Sequence, residues 1–427
     1  MRWLHVDHPG RVLRLAYCLN LHAAGDLDGL YAGMRDISLP LRDRVASSGR
    51  FGVGMWFPAQ VARVLASAAG RAELERLQQF MADERLDPFT FNAFPYADFQ
   101  RDGLKADVYR PTWMQEERVR YTLDVASIAA QLNPVTGAER ASAHVSISTH
   151  PGTYGAWLSG AGDLLACARN LARVVRELAR SEAHGGPRAI LALEAEPMAS
   201  AGDTRELEGY LAFARAEIAR ALAGSDGLDR ERAHALAIRH LGTCLDACHA
   251  AVEFEPPIEA LACSTRGGPL GKLQFSRALA REQPGRDPRG RQLLLALAEP
   301  RFLHQVVGRR GERRLHAEDL PTLARALDMD GSDWLACSAW RCHFHVPVDL
   351  AAVEGLGTTR AEADALLDRL LARPEHWSTN ELHVEIETYT WDVLPRAARG
   401  AGELVDALER EYRHVMQLLR ERGWQPA

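Results

Sequence analysis

Carboxylates, amides and imidazoles recur where short apolar runs of this sequence end, and those endings carry its chemistry. Residues 241–245 lead to Asp246, with His249 three positions later. Residues 189–193 end on Glu194, followed by Glu196, and residues 270–273 end on Gln274 and Ser276. Residues 382–386 carry Glu385 and are followed by Glu387 and Tyr389. Acids gathered in an apolar setting are costly unless a positive partner meets them. A divalent cation removes that cost, and an oxygen-rich set with a few nitrogens suits Mn²⁺, Zn²⁺ or Mg²⁺. Glu194 or Glu196, Asp246, Gln274 and Glu385 or Glu387 are the candidate oxygen ligands, with nitrogen from His249 and from His345 or His343. Glu194 and Glu387 would then move a proton between adjacent substrate carbons while the metal polarises the carbonyl and steadies the enediolate. Lys272 shares a strand face with Gln274, where it would either polarise a carbonyl or neutralise the acids. A structural ion network with Lys272, Arg341 and Arg110 is the alternative use of the same acids.

These groups meet only if the runs are parallel strands whose C-terminal ends share one mouth. Strand candidates fall at 13–22, 51–56, 87–94, 144–149, 189–197, 241–246, 270–276, 340–348 and 382–389. Helical patterns separate them; Leu164, Ala168, Leu171, Val175 and Leu178 form the clearest apolar stripe. Such alternation predicts an α/β fold, a single (β/α)8 barrel over residues 1–427. Nine candidates exceed eight strands, so 340–348 is taken as an extra segment across the mouth, with His343 and His345 on one face. Residues 277–339 break the rhythm and are expected to form an insertion of loops and short helices over or beside the mouth. The long stretch 95–113 is expected to be a substrate lid. The substrate-binding candidates are Asn20, His22, Asn92, Arg110, Trp113, Glu196, His343, Glu385 and Tyr389.

Composition sets the outer bounds. The 427 residues are 47% hydrophobic and 25% charged, an ordinary globular balance. A formal charge of −6 gives no bulk reason to expect nucleic-acid binding. No run has the length of a signal-peptide core or a membrane span, so a cytoplasmic protein with a small-molecule partner is expected. The seven cysteines contain no CxxC pair, which argues against a zinc ribbon or a redox dithiol.

The strand ends Glu194, Asp246-Ala247-Cys248-His249 and Glu385-Ile386-Glu387 resemble the xylose-isomerase-like TIM barrel superfamily, which includes sugar isomerases, epimerases and nucleases of the endonuclease IV type. More narrowly, 17–22, 91–96, 109–113, 343–348 and 387–391 resemble the bacterial family called metabolite traffic protein EboE. The wider resemblance implies metal ligation by Glu194, Asp246 and Glu387, with His249 near the metal or the substrate. It also implies a histidine on the seventh strand, where this chain has Gln274. Together they imply a metal-dependent isomerase- or epimerase-like barrel for a small polar or sugar-like metabolite, associated with metabolite trafficking. The alternatives are a non-catalytic metabolite- or partner-binding barrel in an export pathway, which leaves association with pathway or membrane partners open, and an endonuclease IV-like phosphodiesterase.

Overall fold

The near-continuous apolar runs become strands buried on both faces, the pattern of a parallel sheet wrapped by helices. The computed structural model describes residues 1–46, 49–134, 143–395 and 404–427. A short edge strand β1 (Arg2–His5) precedes seven strands: β2 (Val12–Cys18), β3 (Phe51–Trp56), β4 (Leu86–Asn92), β5 (His144–Thr149), β6 (Arg188–Glu194), β7 (Leu241–Asp246) and β8 (Leu270–Phe275). The chain then leaves for β9 (Arg277–Glu282), β10 (Val306–Arg310), β11 (Arg313–Ala317), β12 (Ala339–Val346), β13 (Ala352–Val353) and β14 (Leu356–Thr358). It returns as β15 (Glu381–Ile386) and ends in β16 (Trp424–Pro426). Strands β2 to β8 pair in sequence order, and β15 pairs in parallel with both β8 and β2, closing an eight-stranded barrel. β1 and β16 add an antiparallel ribbon beside β2.

The helices obey the same logic. Helix Ala161–Ala183 buries Cys167, Ala168, Leu171, Val175 and Leu178 on one stripe against the sheet. Asp203 and Asp229 cap the two following helices by accepting from Glu206 and Arg232 backbone N–H groups. Among the described residues, no helix is long and apolar enough to cross a membrane.

The insertion differs from expectation. Its strands form a six-stranded antiparallel sheet in the order β11-β10-β12-β9-β14-β13, reaching residue 358 rather than 339. Leu279, Val306, Leu323, Trp340, Cys342 and Phe344 give it a core of its own. The tip of the β10–β11 hairpin carries Arg309, Arg310, Arg313 and Arg314, all four exposed in strand positions; that charge hides the strand period and makes the segment read as a loop. β12 lies in this second sheet, paired with β10 and β9. Only Ser276 separates β8 from β9, so the seventh barrel strand runs directly into the second sheet.

Inside the barrel, Lys272 Nζ donates to Glu385 Oε2 at 2.5 Å, and both side chains are fully buried. A Cβ at Gly54 would lie 1.7 Å from Glu385 Oε1, so only glycine leaves room for that pair. Gly54→Ala should therefore destabilise the fold by about 1–3 kcal/mol through overpacking. Lys272→Met should cost about 3–5 kcal/mol by stranding the Glu385 charge, and adding Glu385→Leu should recover much of it. Urea unfolding of the single and double variants measures this; a double variant no more stable than Lys272→Met would show the two residues to be independent.

Candidate metal centre at the barrel mouth

Strand ends, one helix start and one strand of the second sheet build this site. β6 ends on Glu194, β7 ends on Asp246, and Glu387 directly follows β15. These three offer carboxylate oxygens all within 4.8 Å of one another, and each residue is buried. Asn20 and Asn92 both donate their Nδ2 to Glu387 Oε1, at 2.7 and 3.0 Å. Asp246 has two tasks. Its Oδ1 caps the helix Ala247–Val252 by accepting from the Cys248 and His249 N–H groups at 2.6 and 3.0 Å. Its Oδ2, like Glu194 Oε2, is buried without a hydrogen-bond partner among the described residues. Two orphaned carboxylate oxygens facing a third acid are what a divalent cation would satisfy, and the hard oxygen donors fit one.

The nitrogens come from His249, in the first turn after Asp246, and from His343 and His345 on β12. Pairing between β12 and β9 slips between Cys342 and Val346, the stretch that holds both histidines. Such irregularities re-aim side chains beside functional sites. Nδ1 of His249 lies 2.9 Å from the Ala195 carbonyl, that of His343 2.5 Å from Gln305 Oε1, and that of His345 3.0 Å from the Glu387 carbonyl.

Burial, then the charges of Glu387, Asp246 and Glu196, hold the Glu194 carboxyl well above the usual carboxylate range. Burial, with Glu385 and Asp246, pushes Glu387 up to about 8. Burial also pulls His345 down to about 4, despite the opposing pull of Asp246. Among the described residues, none of Glu194, Asp246 and Glu387 forms an ion pair with a lysine or arginine: Lys272 is committed to Glu385 below, and Lys105 and Arg301 of the cavity wall face Asp319 and Glu299.

The cavity above this floor has an empty volume of about 570 Å³ including its opening. Asn20, Asn92, Glu194, Glu196, His249, His343, His345, Glu387 and Tyr389 line it. Other expected site residues lie elsewhere. Lys272 and Glu385 pair with each other in the barrel interior, because Lys272 lies three residues before the end of β8. Gln274 Oε1 accepts from the Cys244 thiol at 2.7 Å, its Nε2 is buried without a partner among the described residues, and the residue does not line the cavity. His22 Nε2 is bonded to the Tyr17 hydroxyl at 2.9 Å. Trp113 is fully buried, donating to Thr149 Oγ1 at 3.2 Å. Arg110 points to solvent, paired with Asp107 at 3.0 Å and stacked 4.0 Å over Trp157.

Part of the expected lid 95–113 does line the cavity, but the sequence reading missed the segment that meets it there and one support. Phe94, Phe99, Leu104, Phe302 and Leu303 form an apolar rim, drawn from two segments nearly 200 positions apart, which no local pattern could join. Lys105 ties these segments together by donating to the Glu299 and Phe302 carbonyls at 2.5 and 2.7 Å. Gln305, in the segment read as a loop, fixes His343.

The sequence matches no family model and no curated protein. Solved structures similar to it include an L-ribulose 3-epimerase, at 12% identity and TM-score 0.46, over 96% of this chain and 95% of that one. The probable 3-DHS dehydratase AsbF of Bacillus anthracis is similar at 11% identity and TM-score 0.44, over 94% and 98%. The zinc-bound IolI protein is similar at 11% identity and TM-score 0.42, over 96% and 99%.

Raised carboxyl pKa values set a pH dependence. Between the ordinary glutamate value of about 4.3 and about 8, folded Glu387 holds a proton that the unfolded chain releases. The metal-free protein should therefore lose stability as pH rises through that window. In chelator, the melting temperature should be lower near pH 8.5 than near pH 6, and Glu387→Gln should weaken the dependence, leaving the shares due to Glu194, Glu196, Glu255 and Glu411, which burial likewise pushes up. An unchanged slope in the variant would place the responsible proton elsewhere.

Proposed function

We propose that this chain is a divalent-metal-dependent isomerase or epimerase acting on a small polar, sugar-like metabolite. One observation supports it above the rest: Glu194, Asp246 and Glu387, at the ends of three different barrel strands, bring carboxylate oxygens within 4.8 Å of one another, and Glu194 and Glu387 line a cavity. Glu194, Asp246 and Glu387 would hold the cation, which when bound would polarise a substrate carbonyl and make the adjacent C–H acidic. The chain's own groups supply the proton traffic. Asn20 and Asn92 hold Glu387 by Oε1, leaving Oε2 to accept the proton from one carbon and return it to its neighbour. Glu194, raised by burial and its acidic neighbours, serves as the second proton carrier. Phe94, Phe99, Leu104 and Phe302 exclude water from above and favour a substrate whose far end is not fully hydroxylated. A role in metabolite trafficking is the finer reading that the EboE resemblance supports.

A panel of ketoses and polyols, assayed with metal content determined in parallel, tests the proposal. Turnover should appear with Mn²⁺ or Zn²⁺, and Glu387→Gln should lower kcat/KM by roughly 10²–10⁴-fold. Asp246→Asn should lose both metal and turnover. Gln274, whose oxygen accepts from Cys244 and which does not line the cavity, favours a second reading, a non-catalytic barrel that binds a metabolite for transfer. Metal uptake with ligand binding but no turnover across the panel would replace the first reading with the second.

A further inference from the structure

His249, His343 and His345 aim their Nε2 atoms at one another. The separations are 3.0 Å for His249–His343, 2.9 Å for His343–His345 and 3.3 Å for His345–His249. Each Nδ1 meets an acceptor, and two of these are backbone carbonyls that can only accept. The third is Gln305 Oε1, whose orientation is set because Gln305 Nε2 donates to the Pro197 carbonyl at 3.1 Å. All three rings therefore carry their hydrogen on Nδ1, and three bare Nε2 lone pairs converge on one point. Left so, they repel. Among the described residues, these atoms have only one another within hydrogen-bond reach.

Nitrogens around one tetrahedral zinc ion, at ~2.0–2.1 Å from it, lie roughly 3.3 Å apart. The observed triangle is close to that size before any ion draws it together. Holding each Nδ1 on a carbonyl or amide oxygen is also how proteins orient metal-ligating histidines. A fourth ligand is at hand, since Asp246 offers an oxygen within 4.8 Å of ligand atoms of both His249 and His345. Asp246 also belongs to the carboxylate group with Glu194 and Glu387, and its Oδ2 is unpartnered.

We infer that the three histidines form a second, nitrogen-rich metal site beside the carboxylate site, with Asp246 shared between them. Imidazole ligation selects zinc-class ions, whereas the carboxylate site suits Mn²⁺ or Mg²⁺ as well. The mouth then holds two ions of different preference. The inference concerns the second ion and stands whether or not the chain turns over a substrate.

Metal binding to the full chain, stripped by chelator and then titrated with Zn²⁺, tests this. The wild type should bind two equivalents. His343→Ala and His345→Ala should each bind one fewer, while the double variant Glu194→Gln/Glu387→Gln should keep the histidine ion. Circular dichroism and melting curves confirm that the variants fold. Should a histidine variant fail to fold, the wild type loaded with one equivalent of Cu²⁺ decides, because splitting from several imidazole nitrogens in its electron paramagnetic resonance spectrum is expected. One equivalent in the wild type, unchanged stoichiometry in the folded histidine variants, or a copper spectrum showing oxygen ligands alone would overturn the site. Nitrogen ligation without turnover would defeat only the isomerase proposal.

Discussion

Buried negative charge must be met inside a barrel, and this chain meets it in two ways along one axis. Deep in the barrel, Glu385 receives Lys272, a fixed ammonium at 2.5 Å, and Gly54 yields the space. At the mouth, Glu194, Asp246 and Glu387 gather with no ammonium or guanidinium among them. The fold thus spends the fully buried Lys272 on structure and leaves the upper acids, among the described residues, without a lysine or arginine partner. Everything else at the mouth adjusts to that lack: the asparagines that steady Glu387, the helix that takes one oxygen of Asp246, and the imidazoles above.

The second sheet is more than a covering. Because β8 runs on through Ser276 into β9, the position of β12 relative to the barrel is set by continuous backbone pairing rather than by a mobile loop. A slip in that pairing turns His343 and His345 toward His249, and backbone or amide oxygens hold all three rings. Ligands fixed in this way lose little freedom when an ion arrives, which favours binding. The aromatic rim above excludes water, strengthening each electrostatic contact below it.

Much of the fold was legible in the sequence. Parallel strands buried on both faces read as unbroken apolar runs, and the amphipathic helices between them show their stripe at 3.6-residue spacing. The strand at 144–149 was read to its limits, as was the one at 51–56. The first strand was read too long, because Leu19–His22 keeps an apolar composition while turning as a short 3-10 helix. The second sheet was read as loops because its charged hairpin tip and short strands lack a period.

Local sequence determined which acids and imidazoles stand at strand ends, since strand length and alternation depend on neighbours alone. That is why Glu194, Glu196, Asp246, Glu385 and Glu387 could be named from the chain as candidates, among which the family resemblance chose Glu194, Asp246 and Glu387. Tertiary structure decided which of the candidates share one cavity. Lys272 and Gln274 look available on their strand, yet each finds a partner on a neighbouring strand, Glu385 on β15 and Cys244 on β7. His249 and the pair His343/His345 stand nearly 100 positions apart, and only the run of β8 into a second sheet brings their nitrogens to about 3 Å. Side-chain distances at that scale depend on how whole sheets pack, and no local pattern encodes them.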